Sequence, residues 1–168
     1  MYSNQFTLEQ LNQMSQAEFT TALGDIWEET PEIAERAWHS RPFANVEDLY
    51  RAMVAIVDGM NNDKQLALIK AHPDLASKTK MAEASVQEQA GVGLDRLSEA
   101  EYRRFQALNQ AYKDKFDFPF IVAVKYHTKE SILQTFETRL KNSQEQENQQ
   151  ALTEIGKIAR LRLESSIN

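Results

Sequence analysis

A histidine followed directly by a proline and then a carboxylate is the part of this chain best suited to chemistry: Ala71-His72-Pro73-Asp74-Leu75-Ala76. Pro73 holds its own φ and pushes His72 away from helical geometry, so the spacing predicts a helix that stops there and releases an imidazole into a bend. Imidazole exchanges protons near neutral pH. Downstream, Ser85-Val-Gln-Glu88-Gln89 sets a serine three residues before a glutamate, the spacing of a capping box. Both groups admit a plain structural reading, His72 as a helix end and Glu88 as a capping partner. A helix start also offers free N–H groups that can hold an anion, and a side chain anchored there is held rigidly. The chemistry on offer is acid–base work by an imidazole, a carboxylate, an amide and a guanidinium.

Other chemistries lack their residues. There is no cysteine, which removes disulfides, thiolate nucleophiles and thiolate metal sites. His39 and His127 read as helix-end or surface residues, because imidazole complements the helix dipole there. No His-x-x-x-His pair and no cation-loop carboxylate spacing occurs, so no metal site is expected. Gly91-Val-Gly93 is too sparse for a phosphate loop, and no nucleophile elbow is present. The net charge of -6 argues against nucleic acid as a partner. The apolar run over 118–124 falls far short of the roughly 20 residues a membrane span needs. Met1-Tyr-Ser-Asn-Gln-Phe6 lacks the regions of a secretory signal. The expectation is a cytoplasmic protein acting on a small molecule.

The elements that must position these residues read as helix after helix. With 168 residues, 42% hydrophobic and 26% charged, the chain suits one ordinary domain over 1–168. Thr7 precedes Leu8, Leu11 and Met14, and Ser15 with Glu18 forms a capping box before Phe19, Leu23 and Ile26. Thr30-Pro31 predicts a hydroxyl cap opening a helix over 32–39. Asn45 caps the clearest amphipathic stretch, with Leu49, Met53, Val57 and Met60 on one face. A helix from Asn62 is expected to reach the break at His72. Ser85 and Ser98 are read as two further capping boxes, the second opening Tyr102, Phe105, Leu108 and Tyr112. Ile121-Val-Ala-Val124 favours a strand by propensity, but no partner strand is visible, so a buried helix start is expected there. Thr128 caps Ile132, Phe136 and Leu140. The Gln- and Glu-rich stretch over 143–150 reads as the solvated start of a last helix carrying Leu152, Ile155, Ile158, Leu161 and Leu163. The fold class expected is all-α, a single-domain multi-helix bundle.

Taken in order, these residues resemble the OHCU decarboxylase family, whose substrate is 2-oxo-4-hydroxy-4-carboxy-5-ureidoimidazoline in the breakdown of urate to allantoin. The matching pieces are His72-Pro-Asp-Leu-Ala76, Ser85-Val-Gln-Glu-Gln89 with Gly93-Leu94, Phe105-Gln-Ala-Leu-Asn-Gln-Ala-Tyr112, Lys115-Phe116, Phe118-Pro-Phe-Ile121, Ile132-Leu133, Arg139-Leu140, Ala151-Leu-Thr-Glu-Ile155 and Arg162-Leu163. They cover the C-terminal two-thirds well and the N-terminal third more loosely. The resemblance implies an all-helical fold, (S)-allantoin as product, no cofactor and a homodimer. It also implies that His72 is the proton donor and Glu88 the essential carboxylate. It makes Pro73, Ser85, Gln89, Phe120, Ile121, Val122, Ala123, Val124 and Arg162 substrate contacts. Arg162 is preferred to Arg160 because the family's arginine directly precedes a leucine near the end of the last helix. Asp117 departs from the pattern, which commonly has glycine before Phe-Pro-Phe; aspartate tolerates turn geometry better than most residues. Two other readings stand beside it: a lyase or isomerase on a related ureido compound, and a non-catalytic helical binding module.

Overall fold

The computed structural model describes residues 5–77 and 83–168; residues 1–4, part of the stretch read above for a signal, lie outside them. The described residues form α1 (Leu8–Gln13), α2 (Gln16–Leu23), α3 (Glu32–Ala37), α4 (Val46–Asp58), α5 (Asn62–Lys70), α6 (Glu83–Gly91), α7 (Glu99–Phe116), α8 (Lys129–Arg139) and α9 (Gln144–Ser166), with short 3-10 turns at Trp38–Ser40 and Val124–Tyr126. The all-α expectation is met. The chain divides into two compact units, Met1–Leu68 with Gly156–Asn168, and Ile69–Ile155. No described helix is long and apolar enough to cross a membrane.

Local signals set most boundaries. The side chains of Thr7, Ser15, Ser98 and Thr128 each accept the backbone N–H three residues on, and each cap donates its own backbone N–H to the side chain of that same residue, so α1, α2, α7 and α8 start in closed capping boxes. Asn45 Oδ1 accepts the Asp48 N–H at 2.8 Å and starts α4. The backbone N–H of Ser15 and of Ser98 bonds the carboxylates of Glu18 and Glu101, which holds both below the usual range.

Three helix starts differ from expectation. Thr30 does not cap α3: its hydroxyl donates to the Glu28 carbonyl at 2.8 Å, and the helix gives way to the 3-10 turn after Ala37. Ser85 is not a cap either, because α6 is already under way at Glu83 and Ser85 lies inside it. Glu83 and Ala84 are good helix formers, so nothing delays the start to Ser85. Residues 121–124 are neither a strand nor the start of an α-helix: the backbone is irregular as far as Ala123, Val124 opens only a 3-10 turn, and α8 begins at Lys129.

In the first unit, Leu11, Phe19, Leu23, Ile33, Leu49 and Met53 are buried, with α3 packed on α2 and α4. In the second, Phe105, Tyr112, Phe116, Phe118, Phe120 and Phe136 are buried, the rings of Phe120 and Phe136 stacking at 3.7 Å. The buried stripe of α7 is Phe105, Asn109, Tyr112 and Phe116, so Asn109 takes the place the apolar pattern assigned to Leu108. Asp117 ends α7 at φ 62°, ψ 28°, a left-handed cap position of the kind that favours glycine.

Candidate active site

His72 lies just past the end of α5. The helix stops at Lys70, two residues before the expected break, and the His72 N–H closes a tight last turn on the Ile69 carbonyl at 3.2 Å. Pro73 prevents the helix from continuing. The imidazole is 7% exposed, so it is enclosed by protein rather than trailing in water. Pro73 and Asp74 are half-buried, while Leu75 and Ala76 are buried.

Side chains hold the segment that follows. Gln89 on α6 accepts the Ala76 N–H at 2.9 Å and donates to the Asp74 carbonyl at 3.3 Å. Three residues of α7 also reach it. Lys113 Nζ sits 2.6 Å from Asp74 Oδ2, Asn109 Nδ2 donates to the Leu75 carbonyl at 2.8 Å, and Gln106 Nε2 donates to the Ala76 carbonyl at 3.2 Å. Ala76 has φ 56°, a left-handed conformation that costs a residue with a Cβ about 1–2 kcal/mol. Bonds to both its N–H and its carbonyl hold it there.

α6 carries Ser85, Glu88 and Gln89 at spacings of three and four, so the three share one face. Ser85 and Gln89 are buried and Glu88 is half-buried, while Val86 faces outward. Gly93, at φ 83°, turns the chain sharply after the helix, and the Leu94 N–H returns to the Gln89 carbonyl at 3.0 Å. α6 also packs beside the 3-10 turn that begins at Val124.

The segment leading into that turn, Phe120, Ile121, Val122, Ala123 and Val124, is buried throughout. Buried backbone needs partners, and with no adjoining strand the side chains of α8 and α9 provide them. Arg139 Nη1 donates to the Ile121 carbonyl at 2.5 Å, and the Ala123 N–H donates to Glu154 Oε1 at 3.0 Å. Arg139 is itself anchored: its Nε donates to Glu147 Oε1 at 2.8 Å, and its guanidinium lies 4.4 Å from the Phe120 ring centroid. Glu147 also accepts from the Tyr112 hydroxyl at 2.5 Å and from Asn142 Nδ2 at 2.9 Å. Burial first, and then the bond to Glu147, pushes the Tyr112 phenol far above its ordinary range. Glu147 thus departs from the expected solvated start of α9, because this one residue of the polar stretch points inward.

The second unit therefore holds His72, Pro73, Ser85, Glu88, Gln89, Phe120, Ile121, Val122, Ala123 and Val124. Its bonds join the His72 segment to α6, and its packing sets α6 beside Val124. Arg162 belongs to the first unit, where its Nη2 is 3.0 Å from Glu28 Oε2 and both side chains are buried. Arg160 is about half exposed and pairs with Glu47 at 2.6 Å and Glu164 at 2.9 Å. His39, beside Gln16 at 3.2 Å, and His127, beside Ser131 at 2.9 Å, occupy turn positions as expected.

Sequence reasoning gave no role to Gln106, Asn109, Lys113, Glu147 or Glu154. The signals available were the three-and-four spacing of Gln106, Asn109 and Lys113 and the presence of Gln106, Asn109 and Glu154 within the family-like segments.

Comparison with known proteins shows which family the chain and its fold resemble. The family model described as OHCU decarboxylase matches residues 12–164. The 2-oxo-4-hydroxy-4-carboxy-5-ureidoimidazoline decarboxylase of Halalkalicoccus jeotgali is 47% identical over 158 residues, covering 94% of this chain and 90% of that protein. The uric acid degradation bifunctional protein PucL of Bacillus subtilis is 48% identical over 158 residues, covering 94% of this chain but 32% of that protein. A crystal structure of (S)-allantoin synthase superposes with a TM-score of 0.79 at 34% identity, over 96% of this chain and 54% of that one.

Proposed function

The chain belongs to the OHCU decarboxylase family, and from that premise we propose that it is a carboxy-lyase converting 2-oxo-4-hydroxy-4-carboxy-5-ureidoimidazoline to (S)-allantoin in urate breakdown. The observation that carries the chemistry is the pair of bonds from Gln89 to Asp74 and Ala76, which ties the helix bearing Ser85 and Glu88 to the segment bearing His72.

The reaction breaks one carbon–carbon bond. The electron pair left when CO2 departs forms a double bond to the neighbouring ring carbon and displaces the carbon–nitrogen pair onto nitrogen. That carbon then takes one proton from the donor, while the hydroxyl becomes the carbonyl and its proton goes to the ring nitrogen. No electrons pass to or from the protein, so the chain's own residues have only to orient, stabilise and protonate. His72 is the proton donor in this scheme. An unperturbed imidazole has a pKa of about 6.5, which keeps both forms accessible near neutrality. Glu88 bonds the substrate hydroxyl or favours the protonated imidazole. Ser85, Gln89, Pro73 and the stretch from Phe120 to Val124 contact the substrate. Arg162 is retained on the family pattern, its forked guanidinium suiting carbonyl and carboxylate oxygens. Delivery of the proton to a single ring face makes the product one enantiomer.

The proposal extends to one catalytic domain over 1–168, a cytoplasmic homodimer and no bound cofactor. General acid–base catalysis supplies about 10²–10⁴-fold in rate, so positioning supplies much of the rest. The test generates the unstable substrate from urate in situ and follows allantoin by circular dichroism. The wild-type chain accelerates formation of one enantiomer, and His72→Ala abolishes that while keeping its melting temperature. Glu88→Gln also loses activity without loss of stability. Near-normal turnover by His72→Ala would overturn the assigned donor, and a wild-type chain without effect on rate or chirality would overturn the function.

A further inference from the structure

Three residues on one face of α7 grip the chain just after His72, and the chemistry above uses none of them. Gln106, Asn109 and Lys113 stand three and four apart, so they form one stripe along the helix. They meet the segment as an antiparallel ladder: Lys113 on Asp74, Asn109 on Leu75, Gln106 on Ala76. Together with Gln89, they engage the carbonyls of Asp74, Leu75 and Ala76 and the N–H of Ala76. The segment has neither a strand nor a helix to hold it, so these side chains set its shape.

Two further facts say that shape, rather than stability, is served. Ala76 is kept at φ 56°, where a β-carbon is disfavoured. Asn109 is 2% exposed, and its Oδ1 is the one buried side-chain polar atom among the described residues with no hydrogen-bond partner. An unsatisfied buried acceptor costs about 1–3 kcal/mol, while the bond its amide donates returns only about 0.5–1.5 kcal/mol. A leucine at position 109, in line with Phe105, Tyr112 and Phe116, removes that acceptor but leaves the buried Leu75 carbonyl without the amide's bond, a comparable cost. The bond to Leu75 is then the feature that distinguishes asparagine from leucine.

We infer that Gln106, Asn109 and Lys113 are positioning residues that hold the His72-Pro73 turn, and so aim the imidazole for proton delivery. The inference rests on His72 as the donor proposed above. α7 is suited to this because it is long and stopped at both ends, by the Ser98 capping box and by left-handed Asp117. Pro73, with φ fixed by its ring, lies between the held segment and His72 and transmits the constraint through few free torsions. None of the three needs to touch the substrate.

The test combines Asn109→Leu, which keeps the branched shape and removes the donor, with Lys113→Met and Lys113→Arg at a side chain that is 40% exposed. The lysine variants carry the test if Asn109→Leu does not fold. Misplacement of a catalytic group by about 1 Å costs on the order of 10²-fold, so kcat should fall about 10–100-fold in Asn109→Leu and Lys113→Met, with KM within about twofold. The melting temperature should change little in Asn109→Leu, because the unpaired amide oxygen it removes and the Leu75 carbonyl it strands offset each other, and Lys113→Arg should recover kcat. Independently of turnover, the His72 ring carbon–proton NMR resonance, assigned by its loss in His72→Gln, should move in both damaging variants while those of His39 and His127 stay. A wild-type chain inactive in the assay defeats the proposed function yet leaves the NMR arm to judge the ladder. Wild-type kcat per folded molecule in Asn109→Leu and Lys113→Met, or an unmoved His72 resonance, overturns the inference.

Discussion

Removing the Glu147 carboxylate tests the idea that buried side chains, rather than secondary structure, hold the segment from Phe120 to Val124. Glu147 is fully buried, 0% exposed, and accepts from Tyr112, Arg139 and Asn142. In Glu147→Ala the Arg139 guanidinium stays inside with the Ile121 carbonyl and the Phe120 ring but without its counter-charge. Breaking a buried pair in this way costs about 3–5 kcal/mol. For a chain of this size each kcal/mol moves the melting temperature by roughly 2–4 °C, so the expected fall is roughly 6–20 °C. Glu147→Gln keeps the shape and loses the charge, and should fall between Glu147→Ala and wild type. The double variant Arg139→Met, Glu147→Leu removes both charges and should be less damaged than Glu147→Ala, because no lone ion remains buried. Thermal unfolding followed by circular dichroism at 222 nm on all four chains measures this. A Glu147→Ala chain within about 2 °C of wild type, or a double variant as damaged as Glu147→Ala, would refute the reasoning.

Two more outcomes follow from named geometry. Tyr112 is protonated in the fold well beyond the pH at which an unfolded tyrosine ionises, near 10.0. Above that pH the unfolded chain releases a proton that the folded chain retains, so stability is whole below it and falls as pH rises; Tyr112→Phe should flatten that alkaline slope by up to about 1.4 kcal/mol per pH unit, and an unchanged slope would count against the buried phenol. Asp117→Gly removes a β-carbon from a left-handed position and should raise stability by about 0.5–1 kcal/mol with kcat unchanged, whereas Asp117→Val should lower stability. The Lys70 contact at 3.8 Å that the glycine variant loses involves a carboxylate that is 98% exposed, so it weighs little. A destabilised Asp117→Gly chain would show that the aspartate side chain matters more than its backbone.

Helix starts were readable wherever donor and acceptor lie within three residues of each other. Thr7, Ser15, Asn45, Ser98 and Thr128 each cap through such a bond, and the helices they open stand where their patterns put them. The break at His72-Pro73 was readable for the same reason, since the proline acts on its neighbour. Ser85 shows the limit of that reasoning, because a capping spacing says nothing about whether the helix has already begun upstream. Residues 118–123 show another: propensity offers only strand or helix, while their backbone is satisfied by Arg139 and Glu154, the latter 31 positions from its partner.

Residue types and their order were enough to establish an all-helical chain of the OHCU decarboxylase family and to single out His72 and Glu88. Which polar side chains hold those groups in place depended on the fold. Gln89 meets Ala76 across 13 positions and Lys113 meets Asp74 across 39, and no period in the sequence relates such pairs. An amide or ammonium on a helix face carries no mark of its partner until packing brings a carbonyl or carboxylate within about 3 Å and removes the competing water.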